Sequence, residues 1–197
     1  MATLTNEVLL ADLHKGMASL TLLPYDSTNG ATFSNMDFSD GDVIITLKDT
    51  FSITPSAPTT EEIKIDQKDQ VIDTTVEKGE YKMAGQIPSN AVKLFDYFME
   101  TANANVSGIK SQDGKTTYSG KSYYTSTREV ECSVLVESAS KQTAIAFARV
   151  KFVIPGVTVE NSSTPAYLAF DADILANAAT GEGDFAILKG ATSASQS

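Results

Sequence analysis

Tryptophan is absent from this 197-residue chain, and cysteine and histidine occur once each, as Cys132 and His14. A lone thiol cannot form an internal disulfide, and one Cys with one His cannot complete a four-ligand zinc site. Any Ser-His-Asp or Cys-His arrangement would have to recruit His14, which reads as a surface or packing residue. Cys132 sits among Val130, Val134 and Val136, in alternation with Glu131, Ser133 and Leu135. It reads as a core thiol rather than a nucleophile, and suits a reducing compartment. No apolar run approaches the roughly 18 residues that suggest a membrane helix. The stretch Met1–Val8 lacks a basic region followed by an apolar core, so no secretory signal is expected.

Positive charge is also scarce. Fifteen Lys and Arg face twenty-five Asp and Glu, for a net charge of −10. Residues 1–100 hold 16 acids and 7 bases; residues 101–197 hold 9 and 8. A protein that grips nucleic acid needs basic patches to neutralise phosphates, and an acidic surface repels DNA and anionic lipid. Gly181-Glu182-Gly183 lacks the rest of a phosphate-binding loop. Asp37, Asp40 and Asp42 surround Gly41 without the spacing of a calcium loop, and Asp171 with Asp173 reads as a solvated strand face. Asn105-Val106-Ser107 and Asn161-Ser162-Ser163 read as chance glycosylation sequons. No catalytic residue, metal or cofactor is expected.

What is present is a β-rich pattern with 42% hydrophobic residues, enough for one sizeable core. Val43, Ile45, Leu47, Phe51 and Ile53 fall in one phase of a period-two alternation, which predicts a strand or strand pair with those side chains inward. Ile63–Asp66 and Val71–Val76 predict a hairpin around a polar turn at Gln67–Gln70. Glu80–Ile87 and Glu129–Glu137 alternate again. Thr143–Ile154 is apolar on both faces at its start, which predicts a central strand. Tyr118–Tyr124 follows the turn Asp113-Gly114-Lys115; Tyr167–Leu175 and Phe185–Leu188 close the list of strands. One helix is expected at about residues 89–103. Ser89 or Asn90 would cap it, and Ala91, Leu94, Phe95, Phe98, Met99 and Ala102 would form its apolar stripe against a sheet. Leu94, Phe95, Phe98 and Met99 are its packing residues. The fold class is therefore mainly β, a β-sandwich or small β-barrel with one flanking helix. Residues 17–189 read as a single domain after an N-terminal arm at 1–16. Residues 54–76 read as an extended loop and hairpin, Thr54–Thr60 being a stiff polar connection, and 190–197 as a flexible tail.

The stretch Pro58–Met99, PTTEEIKIDQKDQVIDTTVEKGEYKMAGQIPSNAVKLFDYFM, resembles phage major tail proteins, the subunits of tail tubes. The likeness is one of element order: an acidic strand pair, a strand leading through Pro-Ser into one amphipathic helix, then several long strands. It extends over Met17–Leu175. The resemblance implies a helix-flanked β-sandwich or barrel whose copies close into hexameric rings. Each subunit would add a sheet to a continuous inner barrel, and rings would stack through an extended hairpin and an N-terminal arm. The type VI secretion tube protein shares that architecture.

On this reading the chain is a virion structural protein and not an enzyme, made in the host cytoplasm and built into the tail. Its partners would be copies of itself and other tail proteins, with no membrane. DNA would pass through the lumen without specific binding. Glu61, Glu62, Lys64, Asp66, Lys68 and Asp69 are the candidates for ring stacking or for facing the lumen. The alternatives are another virion or secretion-tube component (neck, terminator or decoration) and, from a different class, a β-barrel ligand-binding module or hydrolase.

Overall fold

Alternation of apolar and polar side chains, rich in Val, Ile, Phe and Thr, makes strands the dominant element of the described residues. The computed structural model describes residues 19–65, 70–77, 79–88, 96–125, 128–154, 156–159 and 166–190. In chain order the strands are β1 (Ser19–Pro24), β2 (Asp42–Ile44), β3 (Ser52–Pro55), β4 (Thr59–Ile65), β5 (Gln70–Glu77), β6 (Tyr81–Pro88) and β7 (Thr101–Lys110). They continue with β8 (Thr117–Tyr123), β9 (Glu129–Glu137), β10 (Thr143–Val153), β11 (Val157–Thr158), β12 (Tyr167–Leu175) and β13 (Phe185–Lys189).

Nine strands form one antiparallel sheet in the order β2-β1-β9-β10-β12-β6-β3, with β11 beside β12 and β13 beside β10. The sheet is strongly curled, and the chain itself gives the reason. β2 and β6 stand five places apart in that order, roughly 24 Å in a flat sheet. Yet Leu47, three residues beyond the end of β2, donates its backbone N–H to the carbonyl of Gln86 in β6 at 2.8 Å. Three residue steps reach about 11 Å at most. The sheet must therefore bend until its ends nearly meet, and residues 45–51 cross the remaining seam. No β-ladder closes that seam among the described residues, so the barrel is incomplete.

The curl encloses one core. Leu20 and Leu22 of β1, Ile44 of β2, Met83 and Ile87 of β6, Val134 and Val136 of β9, Phe152 of β10 and Phe170 of β12 are all buried in a single cluster. Gly85 in β6 makes room for it: a Cβ there would fall 2.7 Å from the ring of Phe170. Cys132 belongs to the same cluster and is fully buried, as its spacing predicted.

β10 carries an irregularity between Phe147 and Val150. Here the strand exchanges neighbours on one side: its first half pairs with β13, its second with β12. A bulge leaves backbone groups outside the ladder. Two contacts supply their partners: Ser133 Oγ donates to the Ala148 carbonyl at 2.7 Å, and the Ala148 N–H donates to the Asp184 carbonyl at 2.9 Å.

Three expectations are corrected. The helix does not extend to residue 103: residues 96–98 are helical and β7 begins at Thr101. Ala102 continues the apolar stripe but lies exposed in a strand, among Thr101, Asn103 and Asn105, which are poor helix formers. Phe98 is fully buried and Met99 packs on the core, whereas Leu94 and Phe95 fall outside the described residues. The phase at β2 is inverted: Ile44 pairs with Leu20 and is buried, while Val43 is 59% and Ile45 71% exposed. The turn at Lys48–Asp49, with Asp49 at φ +62°, interrupts the alternation before Phe51 and Ile53, which do pack on the core. Finally, the Thr54–Thr60 connection is largely strand, since β3 runs through Pro55 and β4 begins at Thr59.

Candidate assembly surfaces

Two hairpins stand apart from the main sheet, β4 with β5 and β7 with β8, each a separate two-stranded sheet. In β4–β5, Thr59 to Ile65 pairs with Glu77 to Gln70, with a register shift at Ile63–Lys64. Glu61, Glu62 and Lys64 are thereby placed on β4. Asp66, Lys68 and Asp69 lie outside the described residues.

The β7–β8 hairpin is exposed over nearly its whole length. Its tip is built by local hydrogen bonding. Asp113 accepts from Ser111 Oγ at 2.5 Å and from the Lys115 N–H at 3.1 Å. Ser111 Oγ in turn accepts from the Thr116 N–H at 3.0 Å, and Gly114 takes φ +68°, which closes the turn at little cost. These contacts hold the Asp113 carboxyl below the usual range, the Ser111 hydroxyl contributing most. At the base, Asp96 accepts from Lys121 at 2.5 Å and from the Tyr123 hydroxyl at 2.9 Å. Both hydrogen bonds lower the Asp96 pKa, that from Lys121 the more. The tip and the base are fixed, and the shaft between them is in water.

Eleven large apolar or aromatic side chains are exposed among the described residues, and their placement is not scattered. Val43 and Ile45 lie on or beside β2; Val157 and Val159 on or beside β11; Phe185, Ile187 and Leu188 on β13. Among the described residues each of those strands has a ladder on one side only. Ile109, Tyr118 and Tyr124 lie on or beside the β7–β8 hairpin. The eleventh, Tyr81, packs on Phe185 with ring centroids 5.6 Å apart.

The outward face of β9, β10, β12 and β6 is built oppositely. It carries Glu129, Glu131, Arg149, Lys151, Asp171, Asp173 and Lys82. Arg149 grips Glu131 with two hydrogen bonds of 3.1 and 2.9 Å, Lys151 pairs with Glu129 at 2.8 Å, and Lys82 lies 3.7 Å from Asp173. Each of the three cations is engaged by a carboxylate from a neighbouring strand. Pairs this exposed contribute at most about 1 kcal/mol each. Their main effect is to keep the face wet and to occupy its positive charges.

Buried chemistry is sparse. Burial pushes the Cys132 thiol well above its ordinary value, which makes it a poor nucleophile. Among the described residues, no three His, Cys, Asp or Glu side chains converge to hold a metal ion. Asp37, at the edge of the acidic turn, accepts instead from the Ser39 N–H at 2.9 Å. No described helix is long and apolar enough to cross a membrane.

Sequence reasoning placed the candidate surface on the first hairpin and missed the second. Ile109, Tyr118, Lys110 and Lys115 gave no signal because β7 shows no apolar alternation. The available cue was the basic balance of residues 101–123 within an acidic chain. No family model matches this sequence, and no curated protein matches it either.

Proposed function

We propose that this chain is a structural subunit of a phage tail tube, self-assembling into stacked, hexameric rings around a lumen through which DNA passes. The observation that carries this reading is the placement of ten of the eleven exposed large apolar side chains among the described residues on or beside strands with one free edge and a projecting hairpin. A free edge with apolar side chains is a template for another strand and a liability for a monomer. Closure into a ring removes the liability, because each edge then meets the next copy.

The charge-laddered face of β9, β10, β12 and β6 supports the same reading. It bears four carboxylates against three cations, and each cation is already held. A phosphate backbone moving along such a wall finds no unengaged positive charge to bind. The net charge of −10 adds long-range repulsion.

The test is electron microscopy of the purified protein, with its mass measured across concentration. Rings or tubes of uniform width, with mass rising with concentration, are the expected result. A monomer at every concentration would overturn the proposal.

A further inference from the structure

The two projecting hairpins carry opposite charge. Residues 59–77, which span β4 and β5, contain six carboxylates (Glu61, Glu62, Asp66, Asp69, Asp73, Glu77) and two lysines, a net of −4. Residues 101–123, which span β7 and β8, contain Lys110, Lys115 and Lys121 against Asp113 alone, a net of +2. A basic arm on a chain of net charge −10 is a local reversal that no fold requirement explains. Among the described residues one of its lysines is held by a carboxylate: Lys121 is tied to Asp96 at 2.5 Å, at the base of the hairpin.

The β7–β8 arm is also incomplete as a structural unit. An isolated two-stranded hairpin is marginal in water, and needs a third strand or a surface to pack on. Its ladder shifts register three times, between Thr101 and Asn103, Asn103 and Val106, and Val106 and Ile109. Ile109 and Tyr118, which sit opposite one another across it, are 56% and 55% exposed. Cross-strand apolar neighbours flanked by Lys110 and Lys115 make a contact patch that is greasy at its centre and cationic at its rim, as protein interfaces are.

We infer that the basic β7–β8 hairpin of one copy docks on the acidic β4–β5 hairpin of the next. This deepens the tube reading and rests on it: it assigns the contact between copies to two named arms. Within the tube reading the contact is heterologous, the basic arm of each copy meeting the acidic arm of the next. Repetition of a heterologous contact generates rings or an open helix. Electrostatic complementarity would also fix the register and reject pairing of like arms.

The experiment uses the full-length chain in three forms: Lys110→Glu with Lys115→Glu, which takes that arm from +2 to −2; Glu61→Lys with Glu62→Lys and Asp73→Lys, which takes the other from −4 to +2; and all five together. Circular dichroism and thermal melting establish that each variant is folded. Assembly is followed by sedimentation at two salt concentrations. Each arm reversal alone is expected to raise the protein concentration for half-assembly by about tenfold or more, since like charges then meet. The fivefold swap, or a mixture of the two reversed proteins, should restore assembly. The wild type should assemble less readily at high salt. If the wild type assembles and the folded arm variants assemble equally well, the pairing is overturned while the tube reading stands. If the swap fails to rescue, the pairing is likewise overturned. A wild type that is monomeric throughout overturns both. Retention of a DNA duplex that is lost on reversal of Lys110 and Lys115, with assembly unchanged, would reassign the basic arm to nucleic acid.

Discussion

Tyr97 and Phe98 show how adjacent side chains can differ in what they contribute. Phe98 is buried, with its ring 5.6 Å from Phe152, which in turn lies 5.4 Å from Phe170. Replacing Phe98 with Ala removes the first member of that row. A loss of about 3–5 kcal/mol is expected in urea unfolding. Tyr97 is half-buried, and burial is the largest cause pushing its phenol up to about 12 from 10.0, with the Cys132 thiol and Asp42 adding to it. Below pH 10.0 the phenol is neutral in both folded and unfolded chains, so its contribution to stability is fully present. As pH rises from 10.0 toward about 12 the unfolded chain releases the proton first, and that contribution is lost. Stability measured across this window should fall in the wild type and fall less in Tyr97→Phe. Equal slopes in the two proteins would disprove the assignment. Residue-scale chemistry was partly legible in the sequence. Cys132 was placed in the core by its valine neighbours, but the burial of Tyr97 depends on which helical face meets the sheet, and spacing alone does not fix that.

Among the elements, β10 organises the rest because its two halves serve different neighbours. The bulge at Phe147–Val150 makes the exchange possible, and Ser133 is the side chain that satisfies it. Ser133→Ala would leave the buried Ala148 carbonyl without that donor, and is expected to cost about 1–3 kcal/mol in chemical denaturation. Ser133→Thr, which keeps the hydroxyl, should lose less. The strands with strong alternation were readable: β9 and β12 run from Glu129 to Glu137 and from Tyr167 to Leu175, as their patterns predicted. β7 was not readable. TANANVSGIK has neither a buried face nor an apolar period, and its strand form rests on pairing with β8. The helix stripe ran on through Ala102 because alanine fits either state, and the chain obeyed the pairing rather than the stripe. Pattern reads burial, so elements that bury little leave little trace in it.

At the scale of the whole molecule, the core and the proposed contact surfaces separate cleanly enough to be perturbed independently. Ile187 on β13 is 75% exposed. Ile187→Lys should therefore change monomer stability by about 0.5 kcal/mol or less. The same substitution should weaken self-association, because a lysine on an edge strand opposes strand addition. Unchanged sedimentation would remove β13 from the assembly surface. The acidity of the N-terminal half was plain from composition. Its concentration around Glu61–Asp69 was legible too, but the basic β7–β8 hairpin was not, because that depends on which segments leave the sheet.

The position of β1 between β2 and β9 has a consequence for how a nascent chain behaves. Ser19 meets Glu137 across 118 residues of sequence, so the first strand waits for the ninth. While the ribosome has made only the first half, β1 lacks one neighbour and the curled sheet cannot close. Long-range pairing of this kind is slow to form. The edges of β2 and β13, which belong to that curled sheet, are therefore completed only once most of the polypeptide has been synthesised. Topology alone thus delays closure of the core until the chain is nearly whole, while the two local hairpins can form earlier.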